Sequence, residues 1–349
     1  MERVKAFLKR KQVIISVQTY LIDALGAMAF GLFASLLIGT IFGTLGEKTG
    51  VVIFTTIAGY AKSATGAALG VSIAYALKAP TLVLFSAATV GIAGNELGGP
   101  VGALVATIIA AELGKIVSKE TPVDILVTPG VTIISGILAA QFVGPGVSAF
   151  MTAFGNLVKT ATVMQPLFMG ILVSALIGIA LTLPISSAAI CIMLSLDGLA
   201  GGAATAGCCA QMVGFAVMSF RENGVGGLVS QGLGTSMLQM PNIIRNPRTW
   251  ILPTLASAIT GPIATCLFHL EMNGPAVSSG MGTCGLVGQI GVYTGWLNDI
   301  AAGTKAAILP MDWVGLILIC FVLPAVLTLL FAFFLRKWGW IKDGDLKLQ

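Results

Sequence analysis

The chain has 349 residues, of which 56% are hydrophobic and only 9% charged. An ordinary soluble domain carries roughly 25% charge, so a chain this apolar must turn most of its surface to lipid, which excludes a soluble enzyme. The net charge of +5 comes largely from basic chain ends and is an orientation signal, not a nucleic-acid footprint.

Residues 1–12 carry Arg3, Lys5, Lys9, Arg10 and Lys11 and are expected at the membrane surface. The apolar run 13–46 is broken by Gln18, Thr19, Tyr20 and Asp23 and predicts an interfacial lead-in before a span near 24–46. A cleavable leader ending at Ala27-Met28-Ala29 is disfavoured, because Asp23 interrupts it and the apolar run continues beyond. Further apolar stretches lie near 50–77, 80–94, 100–117, 124–142, 163–183, 185–200, 203–219, 250–270 and 312–335. Several are short or interrupted by Gly and Pro. The reading is an all-α polytopic membrane protein with about ten membrane elements, some of them re-entrant or broken helices. Residues 220–248 are more polar and predict a loop or re-entrant backbone lining a cavity. Arg336, Lys337, Lys342 and Lys347 close the chain, so both termini are predicted to be cytoplasmic.

Two self-similarities appear in the same order. Residues 31–39 resemble residues 170–178, and the run Gly144-Pro145-Gly146-Val147-Ser148 resembles Gly274-Pro275-Ala276-Val277-Ser278. They suggest two internal structural repeats, 24–160 and 163–300, followed by a final transmembrane helix at 312–335, within a single membrane-embedded domain, as in many transporters.

Ionisable groups inside apolar sequence are functional candidates, because each costs free energy unless paired or wetted. Glu96 and Asn95 sit where one apolar stretch ends. Gly98 and Gly99 then permit a tight turn, and Pro100 suits the first turn of a new helix. His269, Glu271 and Asn273 precede Gly274-Pro275, where a break would turn both ionisable groups toward a cavity. Ser148 and Ser278, after their Gly-Pro pairs, suit caps of half-helices. Asp197, Gln165 and Gln211 are weaker candidates, and Lys62 and Lys78 read as snorkelling side chains. The six cysteines form no C-x-x-C pair and read as buried, reduced residues. With a single His and no phosphate loop or nucleophile–base motif, no metal and no other cofactor is expected.

The run Gly94–Pro100, continued by Val101–Thr107 and ending in Ser118-Lys119-Glu120-Thr121-Pro122-Val123-Asp124, resembles the IIC membrane component of the bacterial sugar phosphotransferase system. The closer likeness is to a branch that includes the perfringolysin regulatory protein-like membrane proteins. Asn273-Gly274-Pro275 ahead of Ser278-Ser279-Gly280-Met281-Gly282 is similar to the same branch. The resemblance implies a homodimeric inner-membrane permease that binds a sugar or related polar solute, served by a separate IIB-like phosphocarrier. It also implies a Glu and a His at the solute, and Glu96 and His269 are the positions it points to. The regulatory branch raises an alternative, a membrane sensor that binds a ligand without moving it.

Overall fold

The structure, a computed structural model, describes residues 7–348. Arg3 and Lys5 of the basic leader, and the side chain of Ser148, lie outside the described residues. The chain forms two compact units, Met1–Phe150 and Met151–Gln349. Among the described residues both are helical, with one isolated antiparallel bridge, Gly198 to Met272, in the second.

The first unit opens with α1 (Gln18–Glu47), a continuous helix containing two π-helical turns. The stretch read as 50–77 divides into α2 (Val52–Ser63) and α3 (Thr65–Ala76). Glycine brings these backbones together. A Cβ on Gly31 would lie 2.9 Å from the Ala68 carbonyl oxygen, and one on Gly70 only 1.9 Å from that of Ala87. Lipid tails are as apolar as the side chains, so close packing of this kind drives association in the bilayer.

The helix α4 (Thr81–Val117) spans 37 residues and contains Pro100. It is not straight. Gly98 (φ −148°, ψ 19°) and Gly99 (φ 61°, ψ −159°) leave helical geometry. The second half then returns along the first. A Cβ on Gly102 would meet the Gly94 carbonyl oxygen at 2.4 Å, and one on Gly114 would meet Val83 at 2.9 Å. In a straight helix Val83 and Gly114 would be roughly 46 Å apart. The segment is therefore a helical hairpin with 95–100 at its tip. The two stretches expected near 80–94 and 100–117 are its arms. The following helix, α5 (Asp124–Thr162), packs along the hairpin from Thr132 beside Gly114, through Gly136 beside Val90, to Gly144 beside Leu97. Val90, Ala106, Ala110 and Ala140 form the small core between these arms.

The second unit contains α6 (Pro166–Thr182), α7 (Ser187–Met193) and α8 (Gly198–Met218). The last of these is buried almost throughout and packs on α6 and on α11 (Pro247–Leu267). Gly207 permits this approach, since a Cβ there would lie 1.9 Å from the Ser174 carbonyl oxygen. Between them come α9 (Phe220–Val229) and α10 (Met240–Arg245). After α11 follow a short turn, α12 (Ala276–Ser279), then α13 (Val287–Ala301) and α14 (Pro310–Lys337).

The polar region 220–248 forms short helical segments. Its side-chain amides, Gln239 and Asn242 buried and Asn223 half-buried, hold the segment 341–348. Asn223 Nδ2 and Gln239 Nε2 donate to the Leu346 carbonyl (2.8 and 3.0 Å), and Asn242 Nδ2 donates to that of Lys347 (2.9 Å). Leu346 is fully buried beneath them. Amides can both donate and accept, so they replace the strand partner that an extended chain would otherwise need.

Among the described residues, six helices are long and apolar enough to cross a membrane: α1, α4, α5, α8, α11 and α14. Two others, α3 and α6, are apolar but shorter. The six include the α4 hairpin.

Candidate solute site

The second unit holds a cavity of about 400 Å³ lined by Phe268, His269, Leu270, Glu271, Asn273, Trp296, Asp299, Thr304, Lys305, Met311, Asp312 and Gly315. One wall is the extended segment 269–274. A π-helical turn, Ile263–Leu267, ends α11, and His269 then takes left-handed backbone (φ 44°) that a β-carbon disfavours. Beyond it the chain is pinned on both sides by glycines. A Cβ on Gly202 of α8 would sit 1.7 Å from the Leu270 carbonyl oxygen, and one on Gly295 of α13 would sit 2.7 Å from the Asn273 nitrogen. Gly274 faces the Gly291 carbonyl in the same way, so its role is close approach, not a turn. The Met272 N–H donates to Gly198 (2.9 Å), which ties the segment to the start of α8.

Asn273 organises the polar groups. Its Oδ1 accepts from the Gly198 N–H (3.2 Å). Its Nδ2 donates to Glu271 Oε2 (3.0 Å) and to both carboxylate oxygens of Asp299 (3.1 and 3.0 Å). Asn298 Nδ2 in turn reaches the Asn273 carbonyl (3.2 Å). At the end of α13, the Asp299 carbonyl accepts from the Thr304 and Lys305 N–H groups (2.9 and 3.2 Å). That capping loop folds Lys305 back over the cavity. Its ammonium pairs with Asp312 Oδ2 (2.9 Å) and lies 5.9 Å from the Trp296 ring. Asp312 also accepts from the Leu309 N–H (2.8 Å), which closes the first turn of α14. Trp296 is buried and braced edge-on by Trp313, 5.3 Å away. The cavity thus presents an indole, a guided amide, three carboxylates and one ammonium.

Of the residues singled out in the sequence, His269, Glu271 and Asn273 line this cavity. Pro275 follows them as the residue before α12. Ser278 does not cap a half-helix as expected. It lies within α12, whose N-cap residue is Pro275, and is buried with its β-carbon beside Gly291. The other Gly-Pro copy differs locally, because Gly144, Pro145 and Ser148 lie inside α5, where the helix continues through the proline. Asn95, Glu96, Gly98 and Gly99 belong to the hairpin tip of the first unit. Gly98 and Gly144 meet there, with a Cβ on Gly98 falling 3.3 Å from the Gly144 Cα. Glu96 is exposed and has no ion pair among the described residues. Gln211 is structural, accepting from Thr182 and the Trp250 indole (both 3.1 Å).

Trp296, Asp299, Lys305 and Asp312 were not singled out in the sequence. One signal was available. Trp296 and Asp299 are three apart on a helix and so share a face, and they follow Gly291 and Gly295, which mark a face built for close approach.

Buried multi-helix packing and an apolar exterior define a membrane protein, and its second unit holds a polar, aromatic-walled cavity. The chain belongs to the phosphotransferase system EIIC family, whose model matches residues 22–348. It is accordingly a multi-pass inner-membrane permease component of a sugar-transporting system. The match lends nothing to the sensor alternative. Comparison with curated proteins and with solved structures gives no match.

Proposed function

We propose that the protein carries a neutral, hydroxyl-rich solute, a sugar or sugar alcohol, and that the second-unit cavity holds it. The observation that carries this reading is the cluster of Asn273, Glu271 and Asp299 beside the Trp296 indole. Carboxylates and amides accept and donate to vicinal hydroxyls, and an aromatic face covers the apolar side of a pyranose. Three carboxylates against one ammonium make the lining a poor host for a sugar phosphate or sugar acid. Glu96 and Asn95, at the tip of a hairpin with an irregular backbone, are a second set of solute ligands in this reading, with Gly98, Gly99, Gly144 and Pro145 shaping that tip.

The protein has no catalytic chemistry of its own in this reading. Phosphorylation of the solute belongs to a separate IIB-like phosphocarrier. The protein works as a homodimer with both ends in the cytoplasm, as the basic residues at each end favour. The two repeats, 24–160 and 163–300, are part of the same proposal.

The test is binding and uptake in proteoliposomes with neutral sugars, sugar alcohols and sugar phosphates. Asp299→Asn is expected to weaken binding of a neutral sugar at least tenfold. Unchanged binding in Asp299→Asn and in Trp296→Leu would remove the cavity from the site. Unchanged uptake by a Glu96→Gln/His269→Ala variant would remove those two residues.

A further inference from the structure

The first unit contains a second concavity of about 400 Å³, lined by Arg10, Lys11, Gln12, Lys78, Pro80, Lys115, Ser118, Lys119 and Glu120. It lies at the base of the α4 hairpin, where Thr81 begins and Val117 ends, at the opposite end from Glu96. Its lining carries five cationic side chains and one carboxylate.

The cations are not equally provided for. Lys115 is buried and fully used, donating to the carbonyls of Gln12 (2.9 Å) and Leu77 (3.1 Å) and to Glu112 Oε1 (2.8 Å). Arg10 and Lys11 share Glu120, at 2.7 and 2.5 Å. Lys78 and Lys119 form no ion pair among the described residues. Each sits just past a helix end in left-handed backbone, at φ 56° and 61°. That position favours glycine, which this chain places at Gly50, Gly303 and Gly339, while Gln12 and Ser195 also occupy it. At the rim of this concavity the chain places lysine instead. Two strained lysines with unpaired ammonium groups converge on one hollow beside three further cations. The carboxylates of Glu120, Glu112 and the nearby Asp124 offset only part of this charge, so the hollow stays net positive and favours an anion.

We propose that this concavity binds a phosphate group. Phosphate oxygens accept several charge-assisted hydrogen bonds at once, and lysine ammonium and arginine guanidinium are suited to them. Two sources supply the same chemistry, the headgroup of an anionic phospholipid and soluble inorganic phosphate. The site's place at the ends of membrane helices, beside the basic leader, suits the first.

The full chain in detergent is unfolded thermally with phosphatidylglycerol, with phosphatidylcholine, and with inorganic phosphate against sodium chloride at matched ionic strength. The wild type is expected to gain several degrees with phosphatidylglycerol over phosphatidylcholine if the source is lipid, or with phosphate over chloride if it is soluble. Lys78→Gly/Lys119→Gly removes both charges and relieves the backbone. It is expected to be at least as stable as the wild type without anion and to lose most of the gain. Lys159→Gln, which removes a cation elsewhere, is expected to keep it. No gain with either phosphate source, or a gain undiminished in the double glycine variant, overturns the proposal.

Discussion

Asn273 shows how much one side chain can settle. Its amide gives both hydrogens to carboxylates and its oxygen to a backbone N–H. Glu271 and Asp299 are held together only because that donor lies between them. Asn273→Asp replaces the donor with a third negative charge, whereas Asn273→Ala merely leaves partners unsatisfied. The alanine variant is expected to lose about 1–2 kcal/mol of stability. The aspartate variant should lose more, and the difference should shrink as pH falls through the carboxylate range, as read by thermal unfolding in detergent. At the other unit's surface, Glu120 is held below its ordinary carboxyl value of 4.5, first by the Lys11 hydrogen bond and then by the charges of Arg10 and Lys11. A lowered folded value means that its tie to the leader is fully present above about pH 4.5 and is lost as pH falls through that lower value. The protection factors of residues 7–17, exchange rates corrected for the intrinsic slowing at low pH, should therefore fall on acidification. In Glu120→Gln protection should already be low at neutral pH and change little on acidification.

At the level of elements, the two decisive features are a hairpin and a wedged extended segment, and both depend on glycine. Gly99 has φ 61° and ψ −159°, a region essentially closed to residues with a β-carbon, although nothing lies within 4 Å of where that carbon would be. Gly99→Ala is expected to cost of order 1–3 kcal/mol through the backbone alone. Gly202→Ala would push a methyl into the Leu270 carbonyl and displace the segment that carries Glu271 and Asn273. It should weaken solute binding without altering any lining residue, which a sugar-dependent thermal shift would reveal. The hairpin was legible in sequence because Gly98-Gly99-Pro100 is local turn chemistry. The wedged segment was only half legible. His269, Glu271 and Asn273 are conspicuous among apolar neighbours, but their partners Trp296, Asp299 and Asp312 arrive from α13 and α14, and no local pattern states which helix faces which. The same limit left the polar region 220–248 open between a loop and re-entrant backbone lining a cavity. Its amides serve the distant segment 341–348, a pairing that no sequence spacing encodes.

At the scale of the whole molecule, apolar composition and Gly-rich spans identified a multi-pass protein directly, because the bilayer leaves few alternatives to helices. The number of crossings was less legible. Short apolar stretches such as α3 and α6 satisfy the hydropathy pattern without the length of a span. A ligand that binds only the folded protein should stabilise it by about 2.7 kcal/mol at 100 times its dissociation constant. A panel of neutral sugars, sugar alcohols and sugar phosphates, read by thermal unfolding of the Lys78→Gly/Lys119→Gly variant so that the basic concavity does not answer, is expected to give shifts only with uncharged members. A shift with the phosphates alone would reverse the charge argument for the second-unit cavity.

The glycine contacts around residues 270–274 have a mechanical consequence. Where backbone rests on backbone, with Gly202 on one side and Gly291 and Gly295 on the other, there is no side-chain cushion to absorb sliding. A register slip of one residue would drive a β-carbon into a carbonyl. The start of α8, the extended segment and α13 are therefore locked as one solid piece, with the polar groups of the cavity fastened to it. If the protein alternates between two faces of the membrane, Glu271, Asn273 and Asp299 travel as cargo with that piece, and the yielding joints lie elsewhere in the chain.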